Sequence, residues 1–161
     1  MEFAQKSLTL EENSFISKDY SEEIIVPKGV TLLVEGFTNR LITNTGGTVI
    51  VKGTCYRINN TSGKVLVEED GFVHSLYGIS KCEVEVKGKV YECIIRDNVK
   101  LTVYENSEIK NIDNTNSEVV IRDHAYVKSY QQCGINAKSQ ISDSSIVSSY
   151  IIRSDSQADK D

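Results

Sequence analysis

The sequence predicts an all-β chain wound as a β-solenoid, a parallel β-helix read as right-handed, with about seven coils behind an N-terminal cap. Three observations predict it. Two apolar residues separated by one outward residue recur down the chain, ending at Val51, Val67, Val86, Val103 and Ile121. Clusters of turn formers recur in step between these pairs. The composition is rich in Val, Ile, Ser, Asn and Thr, with a single Pro and no Trp, which favours strands and corners. No window carries a helical i, i+3, i+4, i+7 stripe.

The five anchors are separated by 16, 19, 17 and 18 residues, and Val49, Val65, Val84, Leu101 and Val119 stand two positions before them. Four positions after the anchors come Cys55, Gly71, Val90, Ser107 and Ala125, all small or aliphatic. Six positions after come Arg57, Val73, Glu92, Ile109 and Val127, with Ile58 or Cys93 standing in where the column turns polar. An alternating strand cannot bury its inward face alone. Stacking coils at about 4.8 Å fills a narrow apolar core and pairs each backbone with the coils above and below. Antiparallel meanders would show hairpin signals and alternating corners in place of one recurring asymmetric layout.

Residues 1–28 are charged and precede the repeats, so they are read as the N-terminal cap, with Pro27-Lys28-Gly29 as the turn into the solenoid. Residues 29–152 form the solenoid. Leu32 and Val34 make its first coil, and Ile135, Ile141 and Val147 a looser last one. The corners fall at residues 44–47, 60–63, Gly78, 97–98, 113–116 and 133–134, where Gly and Asn tolerate positive φ. Residues 153–161 read as a disordered tail. The series Val103, Ile109, Thr115, Ile121, Val127, Cys133 has the six-residue spacing of left-handed solenoids. Irregular coil lengths and the paired apolar residues at one corner favour the right-handed reading.

Three coils, VLVEEDGFV (65–73), LTVYENSEI (101–109) and VVIRDHAYV (119–127), resemble those of bactofilins, the small β-helical cytoskeletal polymers of bacteria. The resemblance spans residues 30–134 and is a hydrophobic pattern. The chain lacks the second-turn glycine and the Pro-rich tails typical of that family. The resemblance implies self-polymerisation through the solenoid ends, where unpaired strand edges invite another chain. The Ser-rich C-terminal end is the less protected of the two.

Charge and cysteine usage narrow the function. A dispersed net charge of −5 disfavours phosphate neutralisation, so nucleic acid is not an expected partner. No apolar segment reaches membrane-spanning length, and MEFAQKSLTL lacks the pattern of a signal peptide. We therefore expect a cytoplasmic protein without membrane contact. Cys55, Cys82, Cys93 and Cys133 form no CxxC pair and read as buried thiols.

Catalytic constellations are sparse. His74 and His124 cannot make a three-His zinc site. His124 on an outward corner is the one candidate general base, in the manner of hexapeptide acyltransferases. Asp70, Asp97, Asp123 and Asp143 are spread along turns. No metal, cofactor or catalytic residue is assigned.

The outward positions say more. Five residues after the anchors stand Tyr56, Phe72, Tyr91, Glu108 and Tyr126, which would form an aromatic ladder. One residue after them stand Lys52, Glu68, Lys87, Tyr104 and Arg122, where neighbouring coils could form ion pairs. The ladder reads either as protection of a sheet surface or as a partner-binding face of Tyr56, Phe72, Tyr91, Tyr126 and Tyr104; a sugar groove is a third option. The expected function is non-enzymatic, acting through protein–protein interaction or self-assembly. The alternative is a small inhibitor, for example phage-encoded, that occludes a host protein. A hexapeptide-type acyltransferase is the enzymatic outsider.

Overall fold

A computed structural model describes residues 7–153. Its regular structure is all strand, in sixteen stretches, and every pairing between them is parallel. Among the described residues no helix is long and apolar enough to cross a membrane. The chain is a β-solenoid.

The apolar pairs set the register. Ile16 lies beside Val34, and the column continues through Val51, Val67, Val86, Val103, Ile121 and Ile141. That makes eight turns, one more than the repeat predicts. At the usual strand spacing of about 4.8 Å the first and last of these strands lie about 34 Å apart. The extra turn comes from the segment read as a cap. Ser7–Thr9 pairs with Glu23–Val26, Ser14–Ile16 with Thr31–Val34, and Asp19–Tyr20 with the start of Phe37–Val51. Its described residues are thus a further coil, with Ile16, Ile24 and Val26 buried in line with those above. At the other end Ile146–Arg153 is one continuous strand, so Arg153 belongs to the last turn. The remainder of the expected tail lies outside the described residues.

Each turn contributes a short strand with the apolar pair, then a longer strand bent over two faces. The long strands align Ile24, Ile42, Ile58, Leu76, Cys93, Ile112 and Tyr130, all buried. Burying each such aliphatic side chain stabilises the fold by about 2 kcal/mol. A second inward column runs Cys55, Val73, Val90, Ile109, Val127. The sequence columns do not anticipate this one, since they place Cys55 and Val90 with Gly71, Ser107 and Ala125. Corner length is the cause. The corners after Val67, Val103, Ile121 and Ile141 hold four residues and close with a turn hydrogen bond, as from Gly71 N to Glu68 O or Ala125 N to Arg122 O. After Ile16, Val34, Val51 and Val86 the corner holds two, as in Lys52-Gly53 and Lys87-Gly88. There the backbones come so close that a Cβ on Gly53 would strike the Gly36 carbonyl, and one on Gly88 the Glu68 and Gly71 carbonyls.

Asparagines do two separate jobs at the corners. Asn98, Asn106 and Asn116 adopt φ of 68°, 62° and 52°. Asn44, Asn60 and Asn114 instead point into the core and are fully buried. Asn44 donates to Gly47 O and to Asn60 Oδ1, both at 2.9 Å, and accepts from Gly47 N. Asn114 donates to Ser117 O at 2.9 Å and accepts from Ser117 N at 2.9 Å. Each side chain thereby satisfies backbone groups that the sharp turn leaves inside.

Candidate interaction surfaces

The corner shift divides the aromatic ladder. Cys55, Val73, Val90, Ile109 and Val127 are aligned inward, so the residues that follow them, Tyr56, His74, Tyr91, Lys110 and Lys128, form one outward column. Phe72 and Tyr126 belong to the neighbouring column, which runs Thr54, Phe72, Lys89, Glu108, Tyr126, Ile146. The expected single ladder of Tyr56, Phe72, Tyr91 and Tyr126 is therefore two adjacent columns, out of step by two residues after each short corner.

The first column is a continuous stack. The Tyr56 and His74 rings lie 5.1 Å apart at 16°, and His74 and Tyr91 lie 5.0 Å apart at 7°. Lys110 Nζ sits 4.3 Å from the Tyr91 ring centroid and donates to the Tyr91 hydroxyl at 2.9 Å. His74 is the residue that sequence reasoning missed, because it was weighed only as a metal ligand. Counting the two-residue deficit of the Lys-Gly corners would have placed it between the tyrosines.

Between the two columns runs a groove of about 260 Å³, bounded by Phe72, Tyr91 and Tyr126 and rimmed by Lys89, Lys110 and Lys128. Tyr91 and Tyr126 are each 38% exposed. Lys89 Nζ reaches Glu108 at 3.8 Å, a weak exposed pair.

Tyr104 lies on another corner, in the column of Lys52, Glu68, Lys87 and Arg122, whose backbone bonds keep register. The ion pairs expected along this column give way to cation–π contacts. Lys87 Nζ lies 5.3 Å and Arg122 Cζ 4.9 Å from the Tyr104 centroid. Tyr104 is thus held apart from the groove. His124 is an exposed corner residue at φ 59°, in the turn place that Asn106 fills one coil earlier. Among the described residues no three His, Cys, Asp or Glu side chains gather as metal ligands. The four cysteines are buried. Burial pushes the thiols of Cys55 and Cys82 up to about 11 and that of Cys93 to about 12.

The ends differ in character. The N-terminal turn leaves a hollow of about 300 Å³ lined by Leu8, Leu10, Phe15, Ile16, Ile24 and Leu32, with Phe15 69% exposed. The C-terminal turn places Ser139 and Gln132 where earlier turns carry Val119 and Asn114. These join Tyr130, whose hydroxyl accepts from Asn114 Nδ2 at 3.0 Å and shares a 2.6 Å bond with Ser139. Beyond them the last turn exposes Tyr150 and Ile152, the latter to 67%. Among the described residues, Ser7–Thr9 and Ser14–Ile16 at one end, and Lys138–Ile141 and Ile146–Arg153 at the other, pair on one side only.

The fold and these surfaces define a parallel β-solenoid with an aromatic–lysine groove on one face and, among the described residues, terminal strands paired on one side only. No family model matches the chain, and no curated protein or solved structure matches it.

Proposed function

We propose that this is a non-enzymatic binding and assembly module whose first contact is another copy of itself, joined end to end. The observation that carries this reading is the pair of one-sided terminal turns. Among the described residues each leaves strand edges paired on one side only, beside apolar side chains, and such edges accept further strands. Their charges are complementary. Residues 7–26 carry Glu11, Glu12, Asp19, Glu22 and Glu23 against Lys18, whereas residues 126–153 carry Lys128, Lys138 and Arg153 against Asp143. Head-to-tail contact sets the acidic turn on the basic one and continues the columns, a heterologous arrangement that does not close on itself. The resemblance of the coils to those of bactofilins points the same way, and the four buried thiols suit a reducing, cytoplasmic setting.

Size-exclusion chromatography with light scattering, run across protein concentration, tests this. Large species that grow with concentration and vanish in Ile152→Glu are expected. Deleting residues 154–161, which add Asp155, Asp159 and Asp161 against Lys160, should strengthen association. A fixed monomer at all concentrations overturns the reading.

The aromatic–lysine groove favours a second use, a face that occludes another protein, as a small inhibitor would. Tyr and Phe are common interface anchors.

A further inference from the structure

We propose that the groove between Phe72, Tyr91 and Tyr126 binds an acidic peptide segment carrying one aromatic side chain. The inference rests on the second use above, the occluding face, and is independent of end-to-end association.

The geometry comes first. Phe72 and Tyr126 belong to one column, with Lys89 and Glu108 between them. Three strand spacings of about 4.8 Å set them about 14 Å apart. That length admits a short extended segment lying along the solenoid axis with one ring between the two. Tyr91 walls the groove from the next column. The stack on His74 and Tyr56 fixes its plane, so little rotamer freedom remains to be lost on binding.

Charge selects the occupant. Three lysines converge on the groove of a chain whose net charge is −5, against one acid, Glu108, that Lys89 already engages. An ammonium has three donors. Lys110 spends one on the Tyr91 hydroxyl, which holds the group in place and leaves two for carboxylates. Lys128 follows Lys110 in the same column, so the two present cations one strand apart along the groove. A polyanion such as nucleic acid needs a longer basic track, and Glu92 and Asp113 stand on the neighbouring outward columns. A segment with two or three carboxylates and one ring matches both the number of cations and the apolar walls.

Fluorescence anisotropy with a labelled octapeptide, one central phenylalanine flanked by glutamates, tests the proposal. Saturable binding is expected, weakened at least tenfold by Lys110→Glu with Lys128→Glu and several-fold when alanine replaces the peptide's phenylalanine. Circular dichroism should show the double lysine variant folded, and Ile152→Glu should bind the peptide normally. Absent binding, binding unmoved by charge reversal, or equal binding of oligothymidylate overturns the proposal. A protein captured by wild type, lost from Tyr91→Ala with Tyr126→Ala, and not displaced by the peptide would keep the face and discard the acidic ligand.

Discussion

Asn114 and Asn106 are the same residue type at two corners, and they act in opposite ways. Asn114 is buried and closes its corner through both atoms of its amide. In Asn114→Ala the Ser117 N–H and C=O lose those bonds inside the core, at a cost of about 3 kcal/mol. Asn106 is exposed at φ 62°, and Asn106→Ala is expected to cost about 1 kcal/mol from the left-handed backbone alone. Urea unfolding of both variants reads the difference. The buried thiols contribute to the alkaline limit. Because burial raises Cys55, Cys82 and Cys93, the folded chain holds protons that the unfolded chain releases near the ordinary thiol value of 9.0. The contribution of these thiols to stability is therefore constant below pH 9 and falls above it, by up to about 1.4 kcal/mol per pH unit for each until its folded value is passed. Urea midpoints measured from pH 8 to 10.5 should show this fall, shallower in Cys93→Ala.

Corner length decides which features of the elements could be read from the chain. The short strands were legible because an apolar pair and its single outward residue lie within one strand, where no corner intervenes. Val51, Val67, Val86 and Val103 fall in register as counted. The long strands were less legible, because each is reached across a corner of two or four residues, and counting from the anchor slips by two after Gly53 and Gly88. The same slip hid the Tyr56–His74–Tyr91 stack and made Phe72 and Tyr126 look like its members. The buried asparagines were seen as turn formers, since composition does not reveal which way a corner side chain points. The short corner also gives a sharp test. Gly88→Ala puts a methyl group against the Glu68 and Gly71 carbonyls and is expected to cost about 3 kcal/mol. An insertion of two residues at 87–88, restoring the longer corner, should cost less, as thermal melts of the two variants would show.

For the whole molecule, interaction is mostly between neighbouring turns, so among the described residues the interior turns are supported on both sides and the terminal ones on one. The N-terminal segment illustrates the point. Its charges suggested a cap, yet Ile16, Ile24 and Val26 supply enough inward residues to extend the stack. Among the described residues its first strands, like those of the last turn, pair on one side only. Under the proposed end-to-end reading, complementary charge at the two ends would make head-to-tail contact the arrangement that conceals both edges at once. Small-angle X-ray scattering across concentration measures this most directly. The cross-section should stay constant while particle length grows in steps of about 40 Å, eight strand spacings per copy. A wider cross-section from side-by-side pairing, or a monomer of fixed length at every concentration, would contradict end-to-end stacking.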